Sequence, residues 1–367
     1  MKQVYGDEWL AGIREKILAG ERLDRADGIG LFGHPDLLAV GELAALVNAR
    51  KNGDRVRFIV NRHVNPTNVC VNLCPLCAFG RPAGAADAYT MSAAEVDARV
   101  AGGGAGITEV HMVAGLNPAL GLDYYLDLVE RVRRLRPGVL QQSFTAVEID
   151  FLAAREGLGI EEVLRRFKLA GLTSLPGGGA EVFSPRVRAL VCPKKISGER
   201  WLEVHETAHR LGLPTNATML YGHVETIGER VDHLLDLRAL QDRTGGFLAF
   251  IPLAFHPRNT ALAGQNGFPG PTGVDDLRML AGARLILDNF DHVKAFWIMI
   301  GPKLAQVSLS FGVDDLDGTV VEERITHAAG AGTEEGISRA ELERLIRAAG
   351  KIPVERDTLY NAVGEAV

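Results

Sequence analysis

No apolar run in this 367-residue chain is long enough to cross a bilayer, because the longest, Phe247–Phe255 and Ala295–Ile300, are about half of what a spanning helix needs. No block of one charge sign occurs either. Forty basic and 46 acidic side chains leave a net charge of −6 and are interleaved, so the electrostatic footprint of a nucleic-acid or anionic-membrane binder is missing. Neither partner is expected. The opening residues, Met1-Lys-Gln-Val-Tyr-Gly-Asp-Glu8, are interrupted by charge and lack the apolar centre of a secretory signal, which makes the cytoplasm the expected location. Aromatic residues are only 6% of the chain, yet 47% of it is hydrophobic, ample for a buried core. Cysteine is scarce at four, too few for a disulfide framework. Cys70, Cys74 and Cys77 nevertheless lie within eight residues, a clustering that suits metal ligation in a reducing compartment.

Short β-rich runs alternate with amphipathic helical patterns. The expected strands are 57–65, 107–113, 139–146, 172–175, 215–221, 246–253, 292–300 and 305–310. Helices are expected over 92–101, 124–136, 160–170, 197–211, 226–244 and 274–288. Eight strands with intervening helices predict an α/β fold, a (β/α)8 TIM-type barrel over residues 57–320. It is flanked by an N-terminal helical extension, 1–56, and a C-terminal helical extension, 321–367. Ser92-x-x-Glu95, Thr226-x-x-Glu229 and Ser338-x-x-Glu341 read as capping boxes, in which hydroxyl and carboxylate each satisfy an orphan amide of a first helical turn.

The loop Asn65-Pro-Thr-Asn-Val-Cys70-Val-Asn-Leu-Cys74-Pro-Leu-Cys77-Ala-Phe79-Gly80 follows the first expected strand. Thiolates spaced Cys-x3-Cys-x2-Cys can hold three irons of a [4Fe–4S] cube and leave the fourth iron open. The plainer alternative is a zinc site completed by His63 or His111, although structural zinc ligands come as pairs on two knuckles rather than all on one loop. Cys192 reads as a small buried hydrophobe.

At this loop the sequence resembles the radical S-adenosylmethionine superfamily. His111-Met-Val-Ala114-Gly115-Leu-Asn-Pro118 is similar to that superfamily's glycine-rich turn, with Ala114 in place of the first glycine, a departure tolerable if its φ stays negative. Thr218-Met-Leu220-Tyr221-Gly222-His-Val-Glu225 is similar to its adenine-side motif. Asn61–Cys70, Phe144–Ile149, Ser174–Glu181, Phe250–Pro257 and the tail from Ile346 to Tyr360 resemble, more narrowly, the aminofutalosine synthase family of menaquinone biosynthesis. The cyclic dehypoxanthine futalosine synthases and FO synthase subunits share some of these strings.

This resemblance implies a [4Fe–4S] cluster on Cys70, Cys74 and Cys77, S-adenosylmethionine as co-substrate, and an electron donor such as flavodoxin or ferredoxin. It implies that a 5′-deoxyadenosyl radical adds to the alkene of 3-[(1-carboxyvinyl)oxy]benzoate. Rearrangement and loss of one carboxylate then give 6-amino-6-deoxyfutalosine. The turns at Ala114-Gly115 and Tyr221-Gly222 would receive the co-substrate, Phe79 would pack on adenine, Glu181 would hold the ribose, and Arg188 and Glu225 would complete the binding. Two substrate carboxylates need cationic or amide donors, and Arg62, His63, His256 and Arg258 stand near strand ends as the catalytic candidates. Glu148 could bind substrate or orient a neighbour, whereas Asp314 and Asp315 read as helix-cap or loop residues. Gly177-Gly-Gly179 does not fit a phosphate loop and is expected where backbone approaches a ligand closely. The 101–106 glycine run reads as a helix end and turn.

Overall fold

A computed structural model describes residues 7–102, 104, 106–266 and 269–364. Its strands are β1 (Arg55–Ile59), β2 (Asn61–Val64), β3 (Glu109–Met112), β4 (Leu140–Ser143), β5 (Thr215–Tyr221), β6 (Phe247–Ala254), β7 (His292–Val293), β8 (Asp315–Gly318) and β9 (Ile352–Arg356). Every strand pair is parallel, in three sheets ordered β8-β1-β9, β2-β3-β4 and β5-β6-β7. Parallel neighbours require a crossover, and helices such as Ala93–Ala101, Leu122–Leu135 and Ile227–Thr244 supply it. The result is an α/β fold in which each crossover leaves from the C-terminal end of one strand and returns to the N-terminal end of the next.

Register and the two-residue period decide which side chains face inward. Asn61 aligns with Glu109, and His63 with His111 and Gln142, so these polar residues share one face. Val64, Val110 and Met112 point the other way, into the main apolar core beneath the helices. Helix ends follow their local signals. The boxes at Ser92/Glu95 and Thr226/Glu229 form in full, whereas Ser338 accepts from the Glu341 amide but the Glu341 carboxylate is taken by Arg344 at 2.6 Å. Gly102 closes the helix Ala93–Ala101 as expected, while positions 103 and 105 of that glycine run lie outside the described residues.

Three expected strands are corrected. Of 172–175 only Ser174 and Leu175 make bridges, to Gln142 and Thr215. The run 292–300 is extended only at His292–Val293, then turns into the short helix Trp297–Ile300. The run 305–310 is not a strand, because Gly301-Pro302 opens the helix Pro302–Ser308, proline being pre-set for a first helical position. Short apolar runs read alike for a strand and a buried helix. The eighth strand is instead Asp315–Gly318, whose acidic sequence hides it. Asp314 lies in the connection just before β8, as expected of a loop residue, whereas Asp315 is the first residue of the strand. Both are fully buried: Asp314 accepts from Arg284, Arg57 and the Val293 amide and lies 2.6 Å from His292 Nδ1, and Asp315 accepts from Arg356 at 2.6 Å.

Ahead of β1 the chain forms three helices, Glu8–Ala19, Arg25–Gly33 and Leu37–Asn52. The C-terminal part is not purely helical. After the expected helix Arg339–Ala348, β9 runs beside β1 from Arg55↔Ile352 to Ile59↔Arg356. Pro353 is tolerated there because β9 is an edge strand.

Candidate active site

A cavity of about 340 Å³ opens at the C-terminal ends of the strands, where α/β proteins of this kind place ligands. The strands build its floor: Asn61, His63, Glu109, His111, Asn216 and Asp317 line it from within them, and Lys294 from directly after β7. Connections beyond the strands build its rim, with Cys70, Cys74, Cys77, Phe79, Gly115, Glu148, Glu181, Lys195 and His256.

All three clustered cysteines face this one cavity, Cys74 buried and Cys70 and Cys77 half-buried. The loop folds tightly on itself. Leu73 adopts a left-handed φ of 43°, the Cys77 amide donates to the Cys74 carbonyl at 2.9 Å, and the Gly80 amide donates to Cys77 Sγ at 3.4 Å. Burial pushes the Cys74 thiol up to about 12, so a thiolate there needs a metal's positive charge beside it. Cys192 is buried and does not line the cavity. The zinc alternative calls for His63 or His111 as a fourth ligand beside the cysteines. His63 and His111 instead stack on each other, 4.5 Å between ring centres, in the cavity floor. Three sulfurs spread around one chamber, with an amide on one of them, fit the corners of a multi-iron cluster.

The neighbouring turn is built against this loop. A Cβ on Gly115 would stand 2.3 Å from the Val69 carbonyl oxygen, and the Gly115 amide donates to Thr67 at 2.9 Å. The close approach at Gly115 is thus to the backbone next to Cys70, and its φ is not left-handed. Gly115→Ala should displace the cysteine loop, lowering stability by roughly 1–3 kcal/mol. Iron content after anaerobic reconstitution should fall with it; full iron loading at unchanged stability would contradict this. Ala114 keeps a negative φ, as its substitution for glycine requires, and donates its amide to Glu148 Oε1 at 2.9 Å.

Glu148 also accepts from the Thr145 amide at 2.7 Å. Burial raises its carboxyl to about 7, against the pull of these hydrogen bonds. A raised folded value means that the group's contribution is complete below its ordinary 4.5 and is lost as pH climbs through 7. Stability should therefore decline across that interval by up to roughly 3 kcal/mol from this one group. Urea unfolding at several pH values checks it, and Glu148→Gln should flatten the decline.

Residues 64–237 match the family model described as "Radical SAM superfamily", and residues 244–365 match "CofH/MqnC C-terminal region". The aminodeoxyfutalosine synthase of Thermus thermophilus is 49% identical over 97% of this chain and 96% of its own length. The chain belongs to the radical SAM superfamily, in its CofH/MqnC family. The Streptomyces coelicolor aminodeoxyfutalosine synthase is 44% identical over 96% of this chain and 94% of its own. The 5-amino-6-(D-ribitylamino)uracil–L-tyrosine 4-hydroxyphenyl transferase of Methanopyrus kandleri is 41% identical, covering 85% of each chain. Among solved structures, methylornithine synthase shares the fold at a TM-score of 0.74 and 16% identity, over 93% of this chain and 97% of that one. The hydrogenase maturase HydG does so at 0.73 and 17%, over 96% and 77%.

In this radical SAM enzyme the carboxylate expected on the ribose, Glu181, lines the cavity at a left-handed φ of 47° and is ion-paired to Lys195. Burial works against its charge, but Lys195 holds it below the ordinary carboxylate range. Lys195 was not foreseen, since nothing local separates it from the exposed Lys194 beside it. Arg188 is not among the lining residues. Its guanidinium donates to the carbonyls of Gly179, Ala180, Val182 and Ile196, so it clamps the Glu181 loop in place of touching a carboxylate. All three glycines of that loop line the cavity, and the Cβ positions they leave empty are closed by protein: a Cβ on Gly177 would meet Asn216 O at 2.6 Å, and one on Gly179 would meet Val147 at 2.4 Å.

On the adenine side Thr218 and Leu220 line the cavity, and Tyr221, Gly222 and Glu225 are not among its lining residues. Tyr221 donates to Asp276 at 2.6 Å, and Gly222, at φ 90°, packs on Pro271. Burial resists the charge of Glu225, but His223, Arg230 and the Gly222 amide pull it down to about 2; it ties the turn together and does not reach the cavity. Phe79 does line it, beside Cys77.

Of the four catalytic candidates, His63 and His256 line the cavity and Arg62 and Arg258 do not. The strand alternation turns Arg62 outward, where it pairs with Glu322 at 2.9 Å. Arg258 lines an adjoining hollow of about 320 Å³ that shares Phe255, His256 and Met299 with the main cavity. Burial lowers His63, His111 and His256 below the ordinary histidine value, so all three rings favour the neutral form. His256 Nε2 is 2.9 Å from the Met299 carbonyl.

Proposed function

We propose that this radical SAM enzyme is an aminodeoxyfutalosine synthase, joining the 5′-deoxyadenosyl group of S-adenosylmethionine to 3-[(1-carboxyvinyl)oxy]benzoate. The observation that carries the reading is 49% identity to such an enzyme across 97% of the chain. Cys70, Cys74 and Cys77 would hold a [4Fe–4S] cluster, which when bound supplies the electron that cleaves the sulfonium. The chain's own residues then position the reactants. Ala114 and Gly115 would present backbone to the methionine end, Phe79 and Leu220 would pack against adenine, and Glu181, fixed by Lys195 and Arg188, would take the ribose hydroxyls. His63 and His256, with Arg258 at the adjoining hollow, would face the aromatic substrate. Water is kept from the reacting centre by Leu76, Phe79, Leu253, Phe296 and Met299, the apolar part of the lining.

Closure of the strands into a complete (β/α)8 barrel over 57–320, between the extensions 1–56 and 321–367, accompanies this reading. It is supported by the bridges Gln142↔Ser174, Leu175↔Thr215 and Lys294↔Asp315, which link the three sheets through short contacts. An acidic low-potential donor, flavodoxin or ferredoxin, would serve as reductant in the cytoplasm. Among the described residues no helix is long and apolar enough to cross a membrane.

The second reading is hydrogen abstraction, as in the cyclic dehypoxanthine futalosine and FO synthases, and the CofH/MqnC match over residues 244–365 favours it. Mass analysis after anaerobic incubation with S-adenosylmethionine, dithionite and the enolpyruvyl benzoate separates them. Addition leaves the adenosyl group covalently in the product. Free 5′-deoxyadenosine formed in step with conversion of dehypoxanthine futalosine, and no reaction of the enolpyruvyl benzoate, would replace the synthase reading by the cyclase.

A further inference from the structure

The cavity has two lysines at different depths. Lys195 belongs to the rim, where it is bound to Glu181 and felt by Cys74. Lys294 belongs to the floor: it directly follows β7, is 4% exposed, and donates through Nζ to Asp317 Oδ1 at 2.8 Å. An ammonium has three N–H donors, so this bond leaves two for a ligand. Lys294 influences both His63 and His111, the stacked pair on β2 and β3, and the apolar lining of Ile251, Leu253 and Phe296 completes the surroundings. The neutral imidazoles offer a flat face and N–H donors, and neither competes with Lys294 for an anion. Asp317 is held at a left-handed φ of 63° by its own amide, which donates to Asp315 Oδ1 at 2.6 Å, so the counter-charge of Lys294 is fixed in place.

We infer that Lys294 binds the ring carboxylate of the aromatic substrate at the cavity floor and thereby sets specificity for a benzoate. This rests on the synthase reading. The alkene must meet the adenosyl 5′ carbon, which arrives from the rim where the cysteines and Glu181 stand. The meta-carboxylate at the other end of the substrate therefore points to the floor, where Lys294 is the lining lysine. Arg62, turned outward onto Glu322, and Arg258, on the adjoining hollow, are not needed for this contact.

The test compares 3-[(1-carboxyvinyl)oxy]benzoate with 2-phenoxyacrylate, which keeps the alkene and its carboxylate but lacks the one on the ring, using reconstituted holoenzyme. Wild type should favour the benzoate by ~30-fold or more in kcat/KM, the range for removing one partner of a buried charge contact. Lys294→Gln should raise KM for the benzoate by a similar factor and reduce the preference to within ~3-fold, with S-adenosylmethionine affinity unchanged. Lys294→Gln/Asp317→Asn removes both charges and guards against misfolding from a stranded Asp317; it should show the same lost preference. Equal use of both substrates by wild type, or a preference that survives in the double variant, overturns the inference while leaving the synthase reading intact. Failure of wild type to convert the enolpyruvyl benzoate overturns both.

Discussion

Alanine in place of Cys70, Cys74 or Cys77 is expected to cut iron from about four per chain to well under one, and to reduce turnover by roughly 1,000-fold or more. Each of these sulfurs faces the cavity from the same loop, and a cube that loses one of three protein ligands has no second thiolate at hand. Cys192→Ala is the matched control. That side chain is also buried near the loop, yet it lies outside the cavity, with burial pushing its thiol up to about 11. The variant should keep its iron and its broad absorption near 400 nm and lose only packing, on the order of 1 kcal/mol. Retention of full iron by any of the three loop variants would refute the assignment, as would loss of iron in Cys192→Ala.

Asp314→Ala should destabilise the fold by roughly 3–5 kcal/mol, because it strands a fully buried guanidinium. Arg284 has no exposed side-chain surface, and its remaining hydrogen bonds go only to the carbonyls of Gly312, Phe290 and Asp291. The same substitution frees His292 Nδ1, Arg57 and the Val293 amide from the carboxylate that now joins β7 to β8 and β1. Combining Asp314→Leu with Arg284→Met removes both charges and should recover part of the loss. Urea unfolding of the single and double variants decides it: a single variant within 1 kcal/mol of wild type, on the scale of an ordinary surface change, would show that the buried pair does not hold these strands.

The cysteine loop was legible at once as a candidate for cluster ligation, since three thiols at that spacing need no tertiary context to be noticed, and all three face the cavity. Elements with their own local signals were legible too. Thr215–Tyr221 appears with the expected bounds, and the helices after Ser92 and Thr226 start where their boxes place them. Glu181 and Phe79, singled out because each sits in a motif beside a strand end or a cysteine, both line the cavity. β8 and β9 were not legible: one is an acidic tetrapeptide whose carboxylates, Asp315 and Asp317, are paired with Arg356 and Lys294 from elsewhere in the chain, and the other contains a proline that only an edge position allows.

By itself the sequence determined the clustering of three cysteines in one loop, the alternation of strands and helices, and the helix starts, because each is written in residues a few positions apart. Only the tertiary structure decided which of the polar residues share the chamber. Alternation along Asn61-Arg62-His63 says that Arg62 opposes its neighbours but not which side is inside; pairing with β3 and the Glu322 ion pair settle that, sending Arg62 out and His63 in. Lys195, Lys294 and Asp317 enter the site for the same reason, and Arg188 and Glu225 are spent on holding loops. A side chain's phase is set by the partner strand and the charges it meets across the fold, and those lie tens to hundreds of residues away in the chain.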